Sequence, residues 1–346
     1  MKKIILRANL SLGDIVCFSA VPRELATQYT GKFEVAVDTP FPDLFTHNPY
    51  IVQLPDDATE GETDVFPGLP DSEPPHSQLG HYKTRGEFTI IDCHYDQDRI
   101  YSVHKSNQHN VSLLESYCQD VANSLGLPSL YPRTRTGDIH LSRDEYGAMS
   151  MPHRLANVQR YWIVLAGGKL DAPVKWWPAE NYQRVIDYFR GRIQFVQIGM
   201  TGPTHYQPKL NGVIDLIDQT NVRQLIHTMH AACGVLCGIT SAMHLAAAVP
   251  IPNWQKRPRP CVVVAGGREP RSWYGYTTHR ILDTVGTLKC CAEGGCWNAH
   301  VVPITGQPTD RLCSRVVNMA PSCMNLITPE MAINAISQYL ESETNE

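Results

Sequence analysis

The sequence contains no apolar run long enough to form a membrane-spanning helix. Its N-terminus, MKKIILRANLSLGD, has only a short apolar run and lacks the small-residue cleavage site of a signal peptide. These two absences predict a cytoplasmic protein without a membrane span. There is also no long run of Lys or Arg, and the formal net charge is -4, which disfavours a large non-specific nucleic-acid footprint.

Charged residues are scarce at 18%, whereas hydrophobic residues reach 42%, and this balance predicts a packed protein rather than a disordered one. A chain of 346 residues is too long for one ordinary core, so two domains are expected. No short-period repeat is visible. No GxGxxG motif follows the first predicted strand, which disfavours a dehydrogenase.

Short apolar runs alternate with amphipathic segments along the chain, a pattern typical of parallel sheets covered by helices on both faces. The predicted strands are residues 3–7, 33–38, 88–92, 161–165, 193–198, 234–237 and 261–265. Polar residues 56–83 predict a long loop, and residues 328–341 predict a final amphipathic helix. The break between two α/β units is expected near residues 151–160.

The first candidate site is Gly13-Asp14, which lies between the first predicted strand and a helix. A carboxylate at the carboxyl end of a parallel strand borders the ligand crevice of an α/β unit. Asp14 there can act as a general base toward a hydroxyl group within hydrogen-bond reach. The alternative is that Asp14 only caps the helix, since Asp is favoured at that position.

The second candidate site is the loop AGGKLDAPVKWWP, residues 166–178. Gly167 and Gly168 permit a close backbone approach after a strand, and Lys175 can neutralise a phosphate as a point charge. The alternative is an ordinary turn with a solvated Lys.

The third candidate site is GITSAMHLAAAV, residues 238–249, in which a turn opens a helix after a buried strand. Free N–H groups at such a helix start suit a diphosphate. The alternative is a capped core helix with a hydrogen-bonded His. The predicted diphosphate-binding residues here are Thr240, Ser241, Ala242, Met243 and His244.

Five of the eleven cysteines fall in one loop-rich segment near the C-terminus. In a reducing compartment, clustered Cys indicate a metal site rather than disulfides. Thiolate sites bind zinc or iron, which predicts a structural metal, although the spacing is not a double CxxC and buried reduced thiols are the alternative. One thiol of the adjacent pair is not expected to be a ligand. The candidate ligands are Cys290, Cys291, Cys296, Cys313 and Cys323.

These motifs together resemble those of glycosyltransferase family 9, the ADP-heptose heptosyltransferases. The family's strand, Arg, spacer and Gly-Asp are similar to residues 7–14, and its Gly-containing loop with Lys-Trp-Pro is similar to residues 166–178. Its Asp-Thr-Gly loop followed by His-Leu is similar to residues 239–245, with Ile239 replacing the acidic residue and Ser241 the glycine. The Cys-rich segment is similar to the iron site of autotransporter heptosyltransferases.

The resemblance implies the GT-B fold, an α/β architecture of two Rossmann-like domains that face a central cleft. It implies an acceptor domain over residues 1–155 and a nucleotide-sugar domain over residues 156–327 with a Cys-rich metal segment at 288–325. The helix in residues 328–346 would then cross back to the first domain.

The mechanism implied is inverting sugar transfer with Asp14 as general base. Gly13, Gly167 and Gly168 would border the donor, while Lys175 and the N–H groups of residues 240–244 would stabilise the leaving diphosphate without a catalytic metal. An ADP-sugar is the favoured donor, and the acceptor is a glycan or a protein.

Two alternative functions remain at this stage. One is a bacteriophage-type transferase acting on modified DNA bases, with Lys256, Arg257, Arg259 and the segment 268–276 lining a phosphate groove. The other is a non-catalytic nucleotide-sugar-binding protein, which the Ile239 replacement suggests.

Overall fold

A computed structural model of the chain describes residues 1–56, 62–65, 82–94, 111–303 and 311–344. The chain divides into two compact units. The first comprises the described residues of 1–97 and 113–140, and the second comprises those of 98–112 and 141–346.

The first unit is a five-stranded sheet with helices. Its strands are β1 (Lys2–Arg7), β2 (Phe33–Asp38), β3 (Glu62–Val65), β4 (Tyr82–Arg85) and β5 (Phe88–Asp92). Their order is β2-β1-β5-β4-β3, and β1 pairs in parallel with both β2 and β5. Its helices are α1 (Leu12–Phe18), α2 (Ala20–Gln28) and α3 (Leu113–Ser124). The three strands predicted for this half are therefore confirmed.

The expectation of a loop over residues 56–83 is wrong in part, because β3 and the beginning of β4 lie inside it. These two strands pair antiparallel with each other, and β4 pairs antiparallel with β5. The polar composition of the segment concealed them. β3 is the edge strand of the sheet, and edge strands need few apolar residues. β4 lies between β3 and β5, and its four residues are too few to show a clear alternation of apolar and polar residues.

The second unit contains a six-stranded sheet in which every neighbouring pair of strands is parallel. The order of the six strands, β10-β8-β6-β11-β12-β13, is that of a doubly wound α/β unit. The strands of this unit are β6 (Trp162–Leu165), β7 (Gly168–Lys169), β8 (Phe195–Gln197), β9 (His205–Tyr206), β10 (Ile214–Asp215), β11 (Gly234–Gly238), β12 (Cys261–Gly266), β13 (Arg280–Asp283), β14 (Val316–Val317) and β15 (Ala320–Pro321). Its helices are α4 (Arg143–Gly147), α5 (Met151–Ala156), α6 (Ala179–Tyr188), α7 (Val222–Ala231), α8 (Ser241–Ala248), α9 (Arg271–Tyr274), α10 (Ser322–Asn325) and α11 (Pro329–Thr344).

The core of the second unit includes the final helix. Ala332 and Ile336 of α11 are fully buried, and α11 packs against α6, β12 and β13. The indole Nε1 of Trp177 donates a hydrogen bond of 2.8 Å to the carbonyl of Ile327, 150 residues further along the chain. The predicted final helix is thus confirmed, and its contacts described here lie within the second unit.

Arg259 stabilises the ends of two helices of this unit. Its side chain is buried, and burial lowers the pKa of its guanidinium to about 10. It donates to the carbonyls of His230 and Ala232 at the end of α7 and to those of Ala246 and Val249 at the end of α8. Because helix ends leave carbonyls without partners and carry partial negative charge, one cation satisfies both.

From Leu141 onward the chain stays in the second unit, so the break falls before the expected residues 151–160. The predicted capping box at Ser142 and Glu145 is present at the start of α4. The Glu145 carboxylate also accepts from the guanidinium of Arg223 at 2.6 Å, which attaches α4 to α7. This ion pair explains why α4 belongs with the second unit.

Candidate functional site

Asp14 lies in the first turn of α1, shortly after the carboxyl end of β1, as the sequence predicts. Its carboxylate accepts a hydrogen bond of 3.2 Å from the backbone N–H of Ser11, the residue that precedes the helix. Gly13 is the second residue of the same helix. Asp14 therefore takes part in capping α1, and the residue as a whole is half-buried. Capping and proton transfer use the same carboxylate and are compatible.

A network of ion pairs that sequence reasoning missed lies beside the end of β1. Arg7, the last residue of β1, contacts Asp38, the last residue of β2, at 2.9 Å. Glu62 and Arg85 join them: Arg85 is almost fully buried, 3.0 Å from Glu62 and 3.3 Å from Asp38. Hydrogen bonds from Arg7 and then Arg85 lower the pKa of Glu62 to about 2. The ends of β1 and β2 were visible in the sequence, but the contribution of β3 and β4 was not.

Gly167 and Gly168 follow β6, and the close approach they allow is to another part of the chain. The N–H of Gly167 donates to Oε1 of Gln207 at 2.9 Å, and a Cβ atom on Gly167 would lie 2.0 Å from the carbonyl oxygen of Tyr206. A Cβ atom on Gly168 would lie 3.3 Å from Nε1 of Trp176. Residue 167 must therefore be a glycine, because the chain at Tyr206 and Gln207 passes directly against it. The sequence did not indicate this contact.

The loop after β11 meets the loop after β6 at Thr240. A Cβ atom on either Gly168 or Gly238 would lie 4.0 Å from the Thr240 methyl group, and one on Gly238 would lie 3.4 Å from the carbonyl oxygen of Lys175. Gly167, Gly168, Lys175 and Thr240 therefore gather at the carboxyl edge of the sheet in the second unit. We call this group, with the start of α8, the donor loop, for the role that we propose for it.

Helix α8 begins at Ser241, directly after Thr240. The backbone N–H of Met243 already donates to the carbonyl of Thr240 at 3.2 Å, and the Met243 side chain is fully buried. Of the predicted diphosphate-binding residues on this helix, Ser241 and Ala242 provide its first two N–H groups. Ile239, at the position where the family has an acidic residue, is buried with 7% of its surface exposed.

Lys175 pairs with a buried carboxylate that the sequence analysis did not identify. Its Nζ lies 2.8 Å from Oε1 of Glu269, and the Glu269 side chain is only 5% exposed. Arg268 contacts the same carboxylate. Glu269 follows β12, so its position after a parallel strand was a signal that could have indicated it.

His244 is buried one turn inside α8, and its Nδ1 lies 2.8 Å from the Tyr276 hydroxyl. Burial, followed by His279 and Lys175, lowers the pKa of His244 to about 3. His244 is therefore neutral near pH 7, so it can act as a hydrogen-bonding group but not as a positive charge.

The five predicted cysteine ligands line one pocket of the second unit together with Val174, Gly267 and Arg268. None of the eleven cysteines forms a disulfide. Burial and the neighbouring Cys323 and Cys290 raise the pKa of Cys296 to about 11, whereas the Cys291 thiol donates to the carbonyl of Leu288 at 3.3 Å. Within the ranges that the structure covers, no three His, Cys, Asp or Glu side chains adopt an arrangement able to hold a metal ion.

The basic stretch proposed for a DNA groove is largely engaged within the protein. Arg259 is buried against helix ends, Arg268 contacts Glu269, and Arg271 contacts Asp283. Lys256 and Arg257 are exposed. Arg259 is therefore not available to a phosphate groove, and Arg268 and Arg271 are held in ion pairs. A search of the described part of the chain finds no helix that is long and apolar enough to span a membrane.

No protein-family profile matches the sequence, and no curated protein sequence does. Solved structures match nearly its whole length. A glycosyl transferase family 9 protein from Veillonella parvula is 14% identical, with 99% of this chain and 98% of that chain covered and a TM-score of 0.60. An iron-containing dodecameric glycosyltransferase from enterotoxigenic E. coli is 14% identical, with coverages of 99% and 76% and a TM-score of 0.59.

The E. coli ADP-heptose lipopolysaccharide heptosyltransferase II is 13% identical, with coverages of 99% and 100% and a TM-score of 0.53. At these identities the likeness concerns the fold. The chain has the α/β GT-B fold of two Rossmann-like domains, as its sequence motifs predict.

Proposed function

We propose that the chain is an inverting glycosyltransferase that moves a sugar from a nucleotide diphosphate sugar to an acceptor hydroxyl. The observation that carries this proposal is the donor loop, where two glycine-containing turns, Lys175 and the first N–H groups of α8 meet at one sheet edge. Backbone N–H groups at a helix start and an ammonium group suit a diphosphate. ADP-heptose is the first candidate donor, because one protein of the same fold is an ADP-heptose heptosyltransferase.

In the proposed reaction, the carboxylate of Asp14 accepts the proton of the acceptor hydroxyl as its oxygen attacks the anomeric carbon. The bond from that carbon to the diphosphate breaks, and Lys175 with the N–H groups of Ser241 and Ala242 stabilises the leaving charge. Neutral His244 adds hydrogen bonding rather than charge.

Donor identity is tested by the thermal stability of the protein in a panel of nucleoside diphosphates and nucleotide sugars. The nucleotide that binds raises the melting temperature by mass action, and we expect ADP and ADP-heptose to do so more than UDP or GDP. Equal melting temperatures across the panel would contradict a nucleotide site.

The role of Asp14 is tested with Asp14→Asn, which retains an oxygen that can cap α1 but is not a base. We expect transfer to fall by at least about a hundredfold while ADP affinity is unchanged. Ser11→Ala is the matched control, since it perturbs the same helix start and leaves the carboxylate. Similar losses in both variants would assign Asp14 to capping alone.

A second candidate function, non-catalytic nucleotide-sugar binding, is favoured by the buried Ile239 at the position of the family's acidic residue. Release of ADP from ADP-heptose, with or without an acceptor, would exclude it.

We further propose that the Cys-lined pocket holds a structural metal, iron or zinc. Five thiols around one pocket supply the soft donor type that these metals prefer, and one protein of this fold contains iron. Because no three of the described thiols are arranged to hold an ion, metal binding would have to draw them together. Cys290, Cys296, Cys313 and Cys323 would be the ligands, and the metal would supply folding stability to a loop-rich segment. Cys291, whose thiol donates to backbone carbonyls, would pack beside them.

Metal analysis of the purified protein tests this proposal. We expect about one metal ion per chain in the native protein and in Cys291→Ser, and a loss of metal in Cys313→Ser. Equal metal content in the two variants would contradict the assignment of the ligands.

A further inference from the structure

Two aromatic side chains contact each other beside the donor loop. The ring centroids of Trp176 and Tyr206 are 5.2 Å apart, with 33° between the ring planes. Tyr206 has 48% of its surface exposed, and Trp176 is half-buried. Single exposed aromatic residues are common on protein surfaces, so it is the position of these two rings that indicates a role. We call Trp176 and Tyr206 the aromatic pair.

The aromatic pair borders the donor loop at Gly168. A Cβ atom on Gly168 would lie 3.3 Å from Nε1 of Trp176 and 4.0 Å from the Thr240 methyl group. Gly168 is also the cross-strand partner of Tyr206, because β7 pairs antiparallel with β9. A single glycine therefore lies between the aromatic pair and the residue that precedes α8.

The backbone at Tyr206 is held firmly by its neighbours. A Cβ atom on Gly167 would lie 2.0 Å from the carbonyl oxygen of Tyr206, and the N–H of Gly167 donates to Oε1 of Gln207 at 2.9 Å. Gly199 packs as closely, since a Cβ atom there would lie 2.4 Å from Cδ of Gln207. An aromatic ring on a fixed backbone loses little conformational entropy when a ligand covers it.

The strand order places the aromatic pair along the path of a nucleotide bound to the second unit. The chain adds β8 and β10 on one side of β6, and then β11, β12 and β13 on the other side. Ligands of doubly wound sheets bind where the strand order reverses in this way. Helix α8 follows β11, whereas the segments that carry Trp176 and Tyr206 follow β6 and β8. A nucleotide whose diphosphate lies at α8 can thus extend across Gly168 to the aromatic pair.

We propose that the aromatic pair is the subsite for the base of the donor nucleotide, with the base stacked on the ring of Tyr206 and Trp176 supporting that ring. This inference rests on the proposed function. The base is the flat π-system of a nucleotide sugar, whereas the ribose, the diphosphate and the transferred sugar are saturated or charged. Bases stack on aromatic side chains through their π-faces. Because stacking does not read the edges of a base, this subsite contributes affinity rather than the choice among bases.

The experiment measures, by calorimetry, the affinity of the full chain for ADP and for ribose 5-diphosphate, which keeps the ribose and both phosphates but has no base. In the native sequence we expect ADP to bind about tenfold more tightly. In Tyr206→Leu we expect ADP to lose this advantage, so that the two affinities agree within about twofold, while ribose 5-diphosphate binds as before. Tyr206→Phe keeps the ring and should retain the advantage of ADP.

Tyr188→Leu is the matched control for the removal of an exposed tyrosine. Tyr188 is 52% exposed and is the last residue of α6, which leads to the amino end of β8, away from the carboxyl edge of the sheet. This variant should keep the full preference for ADP over ribose 5-diphosphate.

The outcomes separate this inference from its premise. If neither ligand binds the native chain, the proposed function and the inference are both overturned. Equal affinity for the two ligands in the native chain, or an ADP advantage that survives in Tyr206→Leu, would overturn the inference alone. Loss of affinity for ADP-heptose but not for ADP in Tyr206→Leu would assign the aromatic pair to the sugar and overturn its assignment to the base. If Tyr206→Leu fails to fold, Trp176→Leu takes its place, and an unchanged ADP advantage in that variant overturns the inference.

Discussion

The two units of this protein place different chemical groups at the carboxyl ends of their parallel strands. In the first unit, the ends of β1 and β2 are occupied by charged side chains that satisfy one another, with Arg7 and Arg85 held between Asp38 and Glu62. In the second unit, the corresponding edge consists of glycines, a threonine and the start of a helix, with a smaller charged group in which Glu269 contacts Lys175 and Arg268.

The difference indicates a division of labour. Arg7 and Arg85 are each shared between the carboxylates of Asp38 and Glu62, so they have little remaining capacity to bind an anion. Backbone N–H groups at a helix start retain that capacity, and glycines let chain segments come close together there. The proposed diphosphate site therefore lies in the second unit, whereas Asp14 lies in the first unit, in the helix that follows β1.

The largest expected effect comes from Arg259→Met, because the second unit depends on this one cation for two helix ends. Carbonyls of α7 and α8 would lose their donors inside the protein, and we expect a destabilisation of at least about 3 kcal/mol. All six tryptophans lie in residues 141–346, so urea unfolding followed by tryptophan fluorescence reports on the second unit. Exposed Arg190→Met is the control and should change stability by less than about 0.5 kcal/mol. Similar midpoints for both variants would contradict the capping role.

Gly167→Ala should have the next largest effect. It tests whether the carboxyl edge of the second unit's sheet requires glycine at this position. The added methyl group would meet the carbonyl oxygen of Tyr206 at 2.0 Å, so the backbone must move. We expect ADP affinity, measured by calorimetry, to fall by more than about tenfold, since the donor loop shifts. Gly147→Ala, where no atom lies within 4 Å, should leave it unchanged. Unchanged ADP affinity in Gly167→Ala would contradict the requirement for glycine at the carboxyl edge of the second unit's sheet.

Acid should destabilise the second unit through its buried histidines. Burial lowers the pKa of His279 to about 4, and neither of its ring nitrogens has a hydrogen-bond partner among the described residues. A depressed pKa means that the unfolded chain takes up a proton first, so stability is lost as the pH falls below about 6.5 toward 4. His279→Leu should reduce the loss between pH 7.5 and pH 5 by about 2 kcal/mol in fluorescence-monitored unfolding. An unchanged pH slope would contradict this origin.

The smallest expected effect is the loss of stability in acid through two paired carboxylates, one in each unit. Arg7 lowers the pKa of Glu62 to about 2, and Arg223 does the same for Glu145. Their stabilising contribution is present above about pH 4.5 and is lost as the pH falls toward 2. Solvent limits each contribution to at most about 1 kcal/mol. In acid, Glu145→Gln should alter the fluorescence transition, whereas Glu62→Gln should alter only amide exchange in the first unit. A fluorescence change in both variants would contradict the assignment of these two ion-pair networks to separate units.

Much of the fold could be predicted because each buried parallel strand corresponds to a short apolar run in the sequence. The seven predicted strands and the helix start at Ser241 all appear in the structure. The pocket shared by Cys290, Cys296 and Cys313 also followed from clustering in the sequence. These features are local, so composition and order along the chain suffice to indicate them.

Long-range charge pairing could not be predicted in the same way. Arg259 and Arg268 suggested a phosphate groove as a basic stretch, yet the first caps helix ends and the second contacts Glu269. The sequence suggested that Lys175 faces either a phosphate or solvent, but did not reveal its buried partner 94 positions away, at Glu269. A charge in a sequence does not reveal its partner, since the fold brings distant segments together.

The hydrogen bond from Trp177 to Ile327 joins residues that are synthesised 150 positions apart, and this separation affects how the chain folds during translation. The described strands and helices of the first unit all lie before residue 141, so this unit can collapse while synthesis continues. The second unit must wait, with the apolar surface of α6, β12 and β13 uncovered until α11 emerges. Translation thus leaves a long interval in which half of the nascent polypeptide is open, and this interval is where a chaperone would be most useful.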